Sequence, residues 1–178
     1  QRPPDLWQCA SKYGFGRCLL SSGGGLINAH WFKGHDKLKD FFEMGQQVLV
    51  SQPFSQLLGT ELCELSEGYA ELSLKIREDF KQSYGFVHGG VVSYLADNCL
   101  TFAGATVLGN CVTSEFKINY VMPTIGDLLI AKSSVLAFAL RQAVCECKVY
   151  VVRNQEPMLV AVAQGTIVKI ETDIRTGA

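Results

Sequence analysis

Charge of one sign is missing from this 178-residue chain: 16 Lys and Arg stand against 17 Asp and Glu, a formal charge of −1. No global field therefore favours nucleic acid or an anionic membrane as a partner. Metal-ligand spacing is missing as well. The seven cysteines, Cys9, Cys18, Cys63, Cys99, Cys111, Cys145 and Cys147, form no CxxC pair and have no histidine set beside them as zinc sites require, so no metal is expected. An odd number of thiols, several inside apolar runs, reads instead as small hydrophobes in a reducing compartment. Gly23, Gly24 and Gly25 lack the Gly-Lys-Ser/Thr ending of a phosphate loop and read as flexible linker. No basic stretch followed by an apolar one opens the sequence as a secretory leader would, and a cytoplasmic location is the expectation.

What the chain has is apolar material, 48% of its residues, enough for the core of one domain. Most of it is concentrated at 86–109. Between Gly90 and Gly104 this segment carries neither proline nor glycine, and Gly109 stands where a helix stop is expected. A helix apolar all round either spans a membrane or is wrapped by its own domain. Ser93, Asp97 and Thr101 decide between these, because their i, i+4, i+8 spacing makes one polar stripe and a mid-helix carboxylate is costly in lipid. A buried helix is expected. Its Asp97 is either paired structurally or does chemistry.

The flanking sequence is organised around that helix. Residues 1–35 show no helical or strand period, and a flexible extension, a loosely packed appendage and a cloning junction all fit them. From Asp36, a candidate N-cap, Leu38, Phe41, Phe42, Val48 and Leu49 approximate one helical face. Two alternating runs at 60–65 and 69–76 read as a hairpin, with Ala70, Leu72, Leu74 and Ile76 on one face and Glu71, Ser73 and Lys75 on the other. After the long helix come strand candidates at 111–121, 128–140, 141–152 and 158–171, then a polar tail at 173–178. Short links between these strands predict antiparallel pairing of neighbours, so residues 36–172 form an α+β domain in which one sheet curls around one helix. Such a sheet keeps free edges and a second face, which predicts at least a dimer.

The stretch KQSYGFVHGGVVSYLADN at 81–98, followed by VTSEFKINYVMPTIGD at 112–127, resembles the hotdog-fold acyl-CoA thioesterases of the PaaI type. The resemblance extends over residues 44–171 and implies a homodimer or homotetramer with sites at subunit interfaces. The implied activity is hydrolysis of a medium-chain or aromatic acyl-CoA to the free acid and coenzyme A, which enters as part of the substrate; no other cofactor is implied. The family's helix carboxylate maps onto Asp97, as general base or nucleophile. Gly89 matches the backbone N–H donor to the oxyanion, with His88 beside it and Gly90 next in the close approach to substrate. Gln82 matches the amide that contacts the thioester or orients the attacking group. Thr101 and Thr113 match two alternative helpers. Plainer roles are open to each: His88 as a helix cap, the glycines as small residues for close packing, Thr101 as a back-bonded helix residue. A non-catalytic binding protein for acyl-CoA or a small acid is the alternative on the same fold.

Overall fold

The structure, a computed structural model, describes residues 32–171, with side chains from residue 41 onward. The readings made for residues 1–31 and 172–178 lie outside the described residues. The elements in chain order are α1 (Phe32–Val50), α2 (Pro53–Leu58), β1 (Thr60–Ser66), β2 (Tyr69–Lys75), a 3₁₀ turn (Glu78–Phe80), α3 (Gly89–Leu108), β3 (Cys111–Tyr120), β4 (Leu128–Phe138), β5 (Gln142–Arg153) and β6 (Glu156–Lys169). Asp36, expected as a cap, lies inside α1. Pro53 opens α2, where a missing N–H costs nothing, and Gly59 closes it with a left-handed φ of 78°. His88 caps α3 by accepting from the Gly90 N–H, and Gly109 ends it at φ 76°.

All six strands form one antiparallel sheet in the order β1-β2-β4-β5-β6-β3. The expected hairpins β1-β2, β4-β5 and β5-β6 are present. The expected pairing of β3 with β4 is not. β3 pairs with β6 at the far edge of the sheet, and β2 pairs with β4. The link at 121–127 permits this, because seven extended residues reach about 23 Å whereas three strand spacings need about 14 Å. Helix α3 crosses the sheet and delivers the chain to that far edge. A short link limits distance but does not dictate the neighbour.

Helix α3 is long and apolar enough to cross a membrane, but here it lies in the curl of the sheet. Leu95, Ala96, Cys99, Leu100 and Ala103 are fully buried against Ala70, Leu72 and Leu74 of β2, Leu129 and Ala131 of β4, and inward residues of β5 and β6. Each large side chain so covered contributes about 1.5–3 kcal/mol. The arrangement is the α+β hotdog fold that the resemblance implied. On the outer face of β2, Glu71 is also buried. Lys132 Nζ lies 2.8 Å from its Oε2 and the Tyr69 hydroxyl donates to the same oxygen at 3.2 Å. Burial and the Glu71 charge push the Tyr69 phenol far above its ordinary range.

Cys99, Cys111, Cys145 and Cys147 are free thiols, and burial pushes Cys111 and Cys145 up to about 11, so they stay protonated and inert.

Close approach of α3 to the sheet rests on Gly104, and close packing of β6 against β3 rests on Gly165. A Cβ on Gly104 would stand 2.8 Å from Ile167 Cγ2, and one on Gly165 would stand 2.7 Å from Phe116 Cβ and 2.8 Å from the Glu115 carbonyl. Gly104→Ala and Gly165→Ala are each expected to lower unfolding free energy by about 1–3 kcal/mol. Urea denaturation measures this, and an unchanged midpoint would show that the helix can retreat freely.

Candidate functional site

The polar stripe of α3 faces edge strand β3 along its whole length. Ser93 hydrogen-bonds the Tyr120 hydroxyl, Asp97 accepts from Thr113, and Thr101 contacts Thr113. Helix and strand run in opposite senses, so each helix turn meets a residue nearer the start of β3. Two separate groups result, one at mid-helix and one at the helix N-terminus.

At mid-helix the Thr113 hydroxyl donates to Asp97 Oδ1 at 2.7 Å. Its single proton is then committed, and the Thr101 hydroxyl is left to donate to Thr113 Oγ1 at 2.8 Å or back to the Asp97 carbonyl at 3.0 Å. Thr101 thus keeps the back-bond expected of an ordinary helical threonine and joins the chain that ends on the carboxylate. Asp97 is half-buried, and its Oδ2 has no hydrogen bond among the described residues. One oxygen is held, and the other is free to accept a proton or attack.

Thr113 reaches Asp97 because β3 is bulged. Its register against β6 shifts between Thr113 and Glu115, leaving Ser114 as the extra residue. Cys111 and Thr113 before the bulge, and Phe116 and Ile118 after it, all turn their half-buried side to the helix, whereas strict alternation would send one set outward.

At the N-terminus of α3, His88 is exposed and its Nδ1 accepts from Gly90 N at 2.9 Å, the capping role open to it from the sequence. That bond engages the Gly90 N–H. The Gly89 N–H has no partner among the described residues and sits at the positive end of the helix dipole. Gln82 shares a surface groove with Gly89, Val92 and Tyr120. Its side-chain Oε1 accepts from Tyr84 N at 3.2 Å within its own tight turn, whose backbone is closed by Gly85 N to the Gln82 carbonyl and Gln82 N to Phe86 O, both at 2.8 Å. The turn is docked onto the helix start through His88 N to Phe80 O and onto the 121–127 link through Val87 N to Thr124 O.

Within one chain these groups do not meet. Gly89 and Asp97 are eight residues apart, about 12 Å along the axis, so one reacting carbonyl cannot touch both. The structure brings Asp97, Thr101 and Thr113 together, and separately Gln82, His88, Gly89 and Gly90. Sequence reading gave Tyr120 no role, although it stands in the quoted NYVMP stretch. Its hydroxyl donates to the Gly89 carbonyl at 3.1 Å and pins the helix start.

Comparison with known proteins finds similar sequences and folds. A family model described as the thioesterase superfamily matches residues 84–158, which contain all of these residues except Gln82. A medium/long-chain acyl-CoA thioesterase, YigI of Escherichia coli, is 24% identical over 141 residues, covering 69% of this chain and 89% of its own. Among solved structures, a thioesterase family protein from Silicibacter pomeroyi superposes with a TM-score of 0.71 at 24% identity, over 74% of this chain and 99% of its own. The Escherichia coli PaaI protein of the phenylacetic acid degradation operon superposes with a TM-score of 0.69 at 19% identity, over 76% and 96%. Residues 84–158 match the thioesterase superfamily model, and the chain that carries them has the hotdog fold of these solved structures.

Proposed function

We propose that this protein hydrolyses a medium-chain or aromatic acyl-CoA to the free acid and coenzyme A. The observation that carries the reading is the half-buried Asp97 carboxylate, oriented by Thr113 through one oxygen and open at the other. Acting as general base, Oδ2 takes a proton from water as the water oxygen attacks the thioester carbonyl. The tetrahedral oxyanion accepts from the Gly89 N–H, and its collapse expels the coenzyme A thiolate, which takes up the proton. Acting as nucleophile, the same oxygen attacks the thioester carbonyl and expels the coenzyme A thiolate to form an acyl anhydride, which water then cleaves to the free acid and the regenerated Asp97 carboxylate. Both routes use the same residues and need no cofactor beyond the coenzyme A of the substrate.

The 12 Å between Gly89 and Asp97 is bridged in this reading by a second copy of the chain. Asp97, Thr101 and Thr113 of one subunit face Gln82, His88, Gly89 and Gly90 of another in a homodimer, or in a homotetramer built from two. Support comes from the edge position of β3, which leaves backbone groups available for pairing beside the polar stripe. In a non-catalytic binding protein of this fold, Asp97 would only hold the ligand.

Asp97→Asn is expected to lower kcat at least about 10²-fold with a smaller change in KM, read by release of free thiol from acyl-CoA. Near-normal turnover in the folded variant would favour the binding reading. Gln82→Ala should cost less than Asp97→Asn. Gly89→Pro removes the proposed oxyanion donor at a first helical position that tolerates proline, behind a His88 backbone at φ −60°, ψ 134° that already suits it. Its kcat should fall about 10²–10³-fold with the fold intact by circular dichroism. Co-expressed Asp97→Asn and Gly89→Pro subunits should recover up to roughly a quarter of wild-type activity, because half of random pairs are mixed and each mixed pair has one intact site. No recovery would place both groups in a single chain's site.

A further inference from the structure

Beyond the polar stripe, α1 and the C-terminal half of α3 enclose a cavity of about 220 Å³. Phe41, Met44 and Val48 of α1 face Phe102 and Ala105 of α3 across it, and Thr101 forms the wall nearest Asp97. We infer that this cavity receives the acyl chain of the substrate, and that the chain is a flexible aliphatic one rather than a polar or charged acid. The inference rests on the proposed thioester hydrolysis and adds where the acid portion lies and what it is made of.

Three observations carry it. The cavity lies beside the candidate catalytic carboxylate: Thr101 belongs to the Asp97–Thr113 chain and also lines the cavity, one helical turn or about 6 Å from Asp97. An acyl chain whose carbonyl sits at Asp97 reaches the cavity only with carbons beyond about the fifth, which a butanoyl group lacks. Among the polar side chains that line it, Gln52, Thr101, Thr106 and Asn110, the two hydroxyls are occupied within the protein. The Thr106 hydroxyl accepts from Gly68 N at 2.7 Å and donates to the Ala103 carbonyl at 2.7 Å, and the Thr101 hydroxyl is engaged as above. Neither hydroxyl has a proton to offer a polar tail, whose burial would be unfavourable. Finally, Met44 and Val48 are 60% and 51% exposed although they border the cavity, and a chain lying there would cover them. The volume exceeds the ~150 Å³ apolar cavity known to hold a benzene molecule, and Met44 gives the wall an adaptable member suited to a chain of several conformers.

Ala105→Phe fills the cavity from the helix side, and Val48→Trp fills it from the exposed side, where folding is least at risk. Each purified variant is compared with wild type on butanoyl-, octanoyl- and dodecanoyl-CoA by thiol release. The expected result is a loss of kcat/KM on dodecanoyl-CoA of at least about tenfold with butanoyl-CoA nearly unaffected. An equal loss on all three substrates, or no loss on any, from both variants overturns the inference while leaving thioester hydrolysis standing. Wild-type protein that cleaves none of the three overturns the inference, and if it also fails to cleave an aromatic thioester, benzoyl-CoA, it overturns both.

Discussion

A helix as apolar as α3 survives in water only while the sheet covers it, and the sheet covers it closely only because Gly104 leaves room for Ile167, while Gly165 leaves room for Phe116 on the neighbouring strand. That contact fixes everything downstream. With the helix held at one depth and rotation, Leu95, Ala96, Cys99 and Leu100 point into the sheet while Ser93, Asp97 and Thr101 are turned to the edge strand. The same rotation leaves Asp97 partly covered and partly open.

Rigidity in the supporting parts is distributed accordingly. At the start of α3, His88 closes the first turn, Tyr120 holds the Gly89 carbonyl, and the Gln82 turn is tied to both neighbouring segments by backbone hydrogen bonds. At mid-helix the bulge of β3 sets Thr113 against the carboxylate. One turn before Asp97, the Tyr94 hydroxyl meets Ser55 at 2.7 Å and Thr60 at 2.8 Å, and Phe54 packs edge-on against the Tyr94 ring, so α2 and the start of β1 anchor the helix. Functional groups built on such pre-set backbone need little rearrangement to act.

The sequence by itself determined the parts whose signal is local. Apolar content and the glycine stops marked α3, period-two alternation marked the strands, and the i, i+4, i+8 spacing put Ser93, Asp97 and Thr101 on one stripe. The HGG-to-Asp spacing carried the resemblance to the thioesterases. Only the tertiary structure decided what these elements touch. Strand periodicity contains no record of neighbours, so β3 was assigned to β4 when the crossing helix carries it to β6. The bulge at Ser114 depends on register against β6 and leaves no mark in composition, yet it puts Thr113 on Asp97. Tyr120 lies 31 positions from Gly89 and meets it only because helix and edge strand run side by side. The 12 Å between Gly89 and Asp97 was implicit in the helix rise all along. Bridging it with a second subunit, as proposed, rests on the tertiary placement of β3 at the sheet edge.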